Sequence, residues 1–209
     1  MTYKINSGIK FSPPVNREVT SADVKYAIER SLLPGVPNGF IQTYLAGVEG
    51  IDEAVKAAQD DPTGGAPDIS GITTPDDQTL VIKLTNTTSL GVIGALTLPV
   101  SSPVPEEYAE QYDTQNPSTY GEHQVATGPY MIENDSKGNL VGYTPNKEIH
   151  LVRNPNWGTT DGDTVTPPDW DFRPAYLDEV EIQEGFADTV SASKKVLTGS
   201  ALVLSLIHI

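Results

Sequence analysis

The chain contains no cysteine. Disulfides, thiol nucleophiles and cysteine metal sites are therefore excluded together, which suits an extracytoplasmic protein without disulfides as well as a cytosolic one. Histidine numbers three, His123, His150 and His208, with no HExxH or other ligand spacing among them, so no metal site is expected. Basic residues are scarce: 13 Lys and Arg stand against 28 Asp and Glu, for a formal charge of −15. Phosphate binding needs clustered cations, so a nucleic-acid partner is excluded, and an anionic membrane surface would repel the chain. No apolar run approaches the roughly 20 residues that cross a bilayer. No secretory signal opens the chain, because Met1-Thr-Tyr-Lys-Ile reads directly into a strand. G-x-S-x-G, G-x-G-x-x-G and G-x-x-x-x-G-K-[ST] are all missing, and no carboxylate is marked out as a tuned acid or base. An enzyme is not expected, and no cofactor is called for.

What is present is a turn-rich globular pattern: 209 residues, 37% hydrophobic, with 18 Gly and 17 Pro. Residues 2–11 alternate about a turn at Ser7-Gly8, predicting a strand pair or a bulged strand. Thr20 and Asp23 have capping-box spacing, and Val24, Ala27, Ile28, Ser31 and Leu32 follow at helical intervals. Arg30 suits the last turn, and Pro34-Gly35 stops the helix. A second helix is predicted over 51–60, ending in a loop at Asp61–Gly65. Ile69–Ile72 and Thr79–Leu84 flank Thr74-Pro75-Asp76-Asp77 as a hairpin, with Leu80, Ile82 and Leu84 on one face. Residues 90–98 read equally as a short buried helix or a strand. Pro105 opens a further helix in EEYAEQY.

The centre of the chain is Val125-Ala126-Thr127-Gly128-Pro129-Tyr130-Met131-Ile132. Gly128 supplies positive φ cheaply, while Pro129 biases Gly128 away from the helical region. A small hydroxyl, free amides and a ring meet at this turn, which is material for a cleft but also ordinary turn chemistry. Beyond it, strands are predicted at Met131-Ile132, at Leu140–Tyr143 after a reversal at 135–139, and at 149–153, closed by Asn154-Pro155-Asn156-Trp157. Residues 158–174 read as a polar, Pro-rich loop, Leu177–Ile182 as a strand, and Asp188 as the cap of a helix ended by Gly199. Asp161, Asp163 and Asp169 are a faint calcium pattern, but Phe172 stands where the twelfth-position acid belongs, so a solvated loop is the reading. His150 reads as a solvent-face or satisfied side chain. The aromatics, Trp157 and Trp170 among them, read as core or rim packing.

Several stretches in order resemble one family, the bacterial extracellular solute-binding proteins of family 5, which serve peptide and nickel type importers. They are YKINSGIKF, VTSADVKYAIERSL, ISGITTPDDQTLVIKL, LPVSSPVPEEY, VATGPYMIE, HLVRNPNW and PAYLDEVEI, covering nearly all of 2–183. The resemblance implies an α/β, periplasmic-binding-protein-like (type II, bilobal) fold of mixed sheets and flanking helices, only part of which is present. It also implies capture of a peptide or similar small solute by domain closure, a permease and its ATPase as partners, a monomer, and a periplasmic or cell-surface lipoprotein. Residues 1–175 would be part of lobe one, without the family's opening section, and 176–203 the start of the passage into lobe two. Residues 204–209 (LSLIHI) match one reading frame of a common transposon-end sequencing adapter and would be non-native; a buried strand is the alternative. Thr127, Gly128, Tyr130 and Trp157 are the expected ligand-binding wall, near the lobe junction. Residues that clamp a peptide's charged ends belong to the second lobe, so none can be placed here. The rival readings are a hydrolase or carbohydrate-acting domain with two carboxylates across a cleft, and a surface module with no concave site.

Overall fold

The computed structural model describes residues 1–36, 38, 41–62, 64–85, 90–161, 164–169, 171–173 and 175–201. Trp170, Asp163, His208 and the tail 204–209 lie outside them.

Strand β1 (Thr2–Lys4) enters a three-stranded antiparallel sheet with β2 (Ile72–Asp76) and β3 (Thr79–Ile82), in the order β1-β3-β2. Residues 2–11 thus do not pair with one another. Tyr3 lies opposite Leu80, while Lys10 bridges Glu18. The β2–β3 hairpin turns at Asp77-Gln78, two residues later than the Pro75 signal implied, with a bulge between Thr73 and Asp76. Leu80 and Ile82 are buried on one face, as their alternation requires.

Helix α1 (Ser21–Arg30) lies on this sheet, its amino end tied to the hairpin by the Ser21 hydroxyl, which donates to the Asp76 carbonyl at 2.6 Å. The Thr20 amide donates to the Asp23 carboxylate at 2.7 Å, the reciprocal half of the expected box. Ala27, Ile28, Ser31 and Leu32 are buried as predicted, but so are Asp23, Tyr26 and Glu29, because α1 is covered on two sides. One side joins α2 (Ile41–Leu45), α3 (Ile51–Asp60) and α4 (Leu90–Ala95) in the main core with Ile28, Leu45, Ile51, Ile69, Ile82 and Val92. The ambiguous 90–98 stretch is therefore helical at its start. The other side packs Tyr26 and Ala27 on α5 (Glu106–Asp113), where Ala109 and Tyr120 complete a second cluster.

Glu29 is the unusual member of the main layer. Its carboxylate accepts from the Ile69 amide at 2.6 Å and lies 3.6 Å from Lys25 Nζ. Burial raises its pKa to about 7, against the opposing effects of the Ile69 amide and Lys25. A carboxyl group that holds its proton more tightly when folded links folding to proton uptake. Its contribution is thus greatest below the ordinary glutamate value and is lost as pH rises towards 7, by about 1.4 kcal/mol per unit at most. Glu29→Gln keeps an acceptor for Ile69 and cannot titrate. Urea unfolding is expected to show E29Q gaining on the wild type between pH 5 and pH 8, and a constant difference would refute this account of Glu29.

A second antiparallel sheet follows. Its strands are β4 (Tyr130–Ile132), β5 (Tyr143–Thr144), β6 (Glu148–Arg153) and β9 (Glu179–Gln183). Both β4 and β5 lie along one edge of β6, and β9 occupies the other. The strand expected to begin the passage into a second lobe is thus hydrogen-bonded into the sheet that Tyr130 opens. Between β6 and β9 the predicted loop contains a small hairpin, β7 (Thr159–Asp161) with β8 (Thr164–Thr166). Threonine and valine suit a pleat better than the polar composition suggested. Helix α6 (Thr189–Leu197) ends the described chain, with the Asp188 carboxylate accepting from the Ser191 amide at 2.7 Å and Gly199 at φ +73° past its end.

Candidate functional site

The expected wall residues stand where four segments are laced together between the two sheets. The Ser12 amide donates to the Ala126 carbonyl at 2.7 Å, and the Ala126 amide donates back to Ser12 Oγ at 2.9 Å. This fixes the chain entering Thr127-Gly128-Pro129. On the far side, the buried Asn154 reads the same turn twice: its amide donates to the Pro129 carbonyl and its Nδ2 to the Gly128 carbonyl, both at 2.9 Å. Asn156 Nδ2 donates to the Phe11 carbonyl at 2.7 Å, and Asn134 Nδ2 to the Pro13 carbonyl at 2.7 Å. Three asparagine amides thereby satisfy backbone carbonyls that irregular chain would otherwise leave unpaired. Sequence reading treated Asn154-Pro155-Asn156 only as the end of a strand; the paired asparagines about a proline were the available signal.

Gly128 does not use the left-handed region, in keeping with the bias that a following proline imposes on its backbone. It lies beside Arg173: a Cβ on Gly128 would stand 3.6 Å from Arg173 Nη1, an ordinary contact distance. Thr127 is half-buried. Tyr130, also half-buried, is committed through its hydroxyl, which donates to the Leu177 carbonyl at 3.0 Å and accepts from the Leu177 amide at 3.1 Å. Arg153 holds the same segment, its Nε donating to the Leu177 carbonyl at 3.1 Å and its guanidinium pairing with Asp178. Residues 176–178 are thus clamped to β4 and β6 before β9 begins.

Trp157 is 3% exposed, so it is a packed side chain and not an open ring face. Its indole N–H donates to Asp171 Oδ2 at 3.4 Å. Asp171 also receives Arg173 Nε at 2.9 Å and Nη2 at 2.5 Å, and this guanidinium lowers the carboxyl pKa to about 2. The chain Trp157–Asp171–Arg173 therefore carries a half-exposed cation to the face of Gly128. Neither Asp171 nor Arg173 was singled out in the sequence; an Asp-x-Arg pair in a Pro-rich stretch carries little signal by itself. A cleft of about 510 Å³ opens beside the junction, lined by Lys10, Pro155, Asn156, Gly158, Pro168 and Asp169.

Of the other residues considered, His123 stacks on Tyr112 with ring centres 4.1 Å apart, and Asp161 ends β7 opposite Thr164. Among the described residues no helix is long and apolar enough to cross a membrane.

The arrangement offers fixed backbone, a guanidinium and a cleft. Comparison with known proteins agrees with that character. The family described as bacterial extracellular solute-binding proteins, family 5 Middle, matches residues 1–207. None of the curated proteins compared with the chain matches it. Among solved structures, a clavulanic acid biosynthesis oligopeptide binding protein 2 is 26% identical with a TM-score of 0.64, covering 95% of this chain and 31% of its own. OppA of Listeria monocytogenes bound to peptide is 20% identical, with a TM-score of 0.61 and coverage of 95% and 33%. The murein tripeptide binding protein MppA of Escherichia coli is 19% identical, with a TM-score of 0.63 and the same coverage. The chain thus spans about a third of the length of the structures it matches. Its fold is the α/β, periplasmic-binding-protein-like one, present in part. With residues 1–207 of 209 matched and that fold observed, the chain belongs to the bacterial extracellular solute-binding proteins of family 5.

Proposed function

We propose that this chain serves in the substrate-binding component of an ABC importer, which captures a peptide-like solute outside the membrane and delivers it to the permease and its ATPase. The carrying observation is the family match over residues 1–207. The junction suits such work without any reacting group. Capture by closure needs a rigid wall and a segment able to transmit rotation, and the laced turn at 127–130 with the clamped 176–178 segment supplies both. On this reading the protein is a non-enzymatic monomer held at the cell surface or in the periplasm. Residues 1–175 form part of its first lobe, and residues 176–203 lead towards a second. Thr127 and Gly128 face the solute, Tyr130 fixes the exit strand, and Trp157 positions Asp171 and Arg173.

Isothermal titration of a peptide panel against a full-length protein containing this sequence tests the reading. Saturable heat with short peptides is expected, and it should be absent with glycosides. Turnover of a glycoside, or no peptide binding across the panel, would sink it.

The 209 residues alone should behave poorly. Tyr130, Ile132, Tyr143, Ile149, Leu151, Val180 and Ile182 are register partners on one face of the second sheet, and none is buried. Tyr176, Val190 and Leu197 are further exposed apolar side chains. Patches of this kind associate. Light scattering after size exclusion is expected to show self-association, with no peptide affinity. Monodisperse material with a cooperative melt would argue that no further polypeptide covers this face.

A further inference from the structure

The opposite face of the same sheet carries a different device. His150, at the middle of β6, has both ring nitrogens on carboxylates: Nδ1 lies 2.8 Å from Glu133 Oε2 and Nε2 lies 3.1 Å from Glu179 Oε2. Glu133 follows β4 on one edge of β6, and Glu179 opens β9 on the other. A neutral imidazole has one N–H and one lone pair, so it can satisfy only one of these acceptors; the imidazolium satisfies both. The arrangement is complete only when the ring is charged.

We propose that His150 is a pH-sensitive latch, fastening β9, and through it α6, to the sheet while protonated and releasing one side of the bridge when neutral. The surrounding charges point the same way. On the His150 face, β9 contributes Glu179 and Glu181, β6 contributes Glu148 and the end of β4 contributes Glu133. Glu148 is 3.6 Å from Lys147, and Glu181 accepts from Gln183 Nε2 at 2.8 Å. Tyr143 of β5 lies on the other face, opposite Ile149. Two carboxylates thus touch the imidazole, and two more share its face of the sheet. The hydrogen bonds to Glu133 and then Glu179 raise its pKa above the ordinary histidine value.

The sign follows directly. A group whose folded pKa is raised stabilises fully below its unfolded value, near 6.5, and that stabilisation fades as pH rises through the folded value. After release, the lone pair left on the ring faces a carboxylate, and β9 keeps its backbone ladder and the clamped 176–178 segment before it. Because α6 buries no residue, β9 is its main attachment. The effect concerns the segment leaving the sheet, and it does not depend on what solute is captured.

The test uses the whole chain at a concentration where it stays dispersed, or a longer protein containing it. Amide exchange protection factors of β9, referenced to those of β3, are followed from pH 5.5 to 8.5, together with the His150 ring resonances. The wild type should lose β9 protection as His150 titrates, about tenfold for each unit by which the folded pKa exceeds the unfolded one. H150Q should show low, pH-independent protection, and E179Q should lower the His150 pKa. An unchanged wild-type profile, an equal decline in H150Q, or an unshifted titration in E179Q would each overturn the latch.

Discussion

Replacing Asp113 by alanine is expected to destabilise the fold by about 3–5 kcal/mol, as removal of one partner of a buried ion pair does. Its carboxylate is 3% exposed and is paired with Arg30, whose side chain is 12% exposed. Arg30 Nε donates at 2.6 Å, the Tyr26 hydroxyl at 3.0 Å and the Ser118 hydroxyl at 2.6 Å. Burial first, and then this carboxylate, push the Tyr26 phenol far above its ordinary pKa, so it stays a neutral donor. Alanine would leave a guanidinium and two hydroxyls without their acceptor, in contact with the Tyr120 ring that Arg30 covers at 4.8 Å. The loss comes from the orphaned charge more than from the pair's own worth. An R30M/D113L double variant should therefore recover most of the stability. Urea denaturation of the two singles and the double measures this, and additive losses would show the two residues acting independently.

Trp157→Ala is the second large effect, expected to remove about 3–5 kcal/mol, in the range for deleting a fully packed aromatic side chain. Trp157→Phe keeps much of the volume and removes the indole N–H that reaches Asp171. It should lose less, while leaving Arg173 less firmly held before Gly128. An exposed stacking ring would behave oppositely: alanine would leave stability within about 0.5 kcal/mol and weaken only ligand binding. Thermal denaturation of both variants separates the two roles, and a W157A protein as stable as the wild type would contradict the packed one.

These variants mark where sequence reading reached and where it stopped. Helix α1 was legible because its cap, its apolar spacing and its stop lie within fifteen residues of one another. The β2–β3 hairpin was legible for the same reason, although its turn slid to Asp77-Gln78 because a bulge absorbed the Pro75 signal. Asp23, Glu29 and Asp113 gave no such notice. Each is held by a group distant in sequence: the Val104 amide on the Asp23 carbonyl, the Ile69 amide on Glu29, and Arg30 on Asp113.

The wall residues divide in the same way. Gly128-Pro129 punctuates the backbone within two adjacent positions, so the turn at 127–130 could be seen. That Gly128 faces Arg173, that Tyr130 grips Leu177 and that Trp157 is buried on Asp171 depend on contacts spanning 14 to 47 positions. The sequence by itself determined the capped helices, the 72–82 hairpin, the acidic character and the family, because caps, periodicity and ordered motifs are short-range. Only the tertiary structure decided which carboxylates are buried, which strands share a sheet and that His150 sits between two glutamates. Those depend on strand order and register, which bring together residues that no local pattern connects.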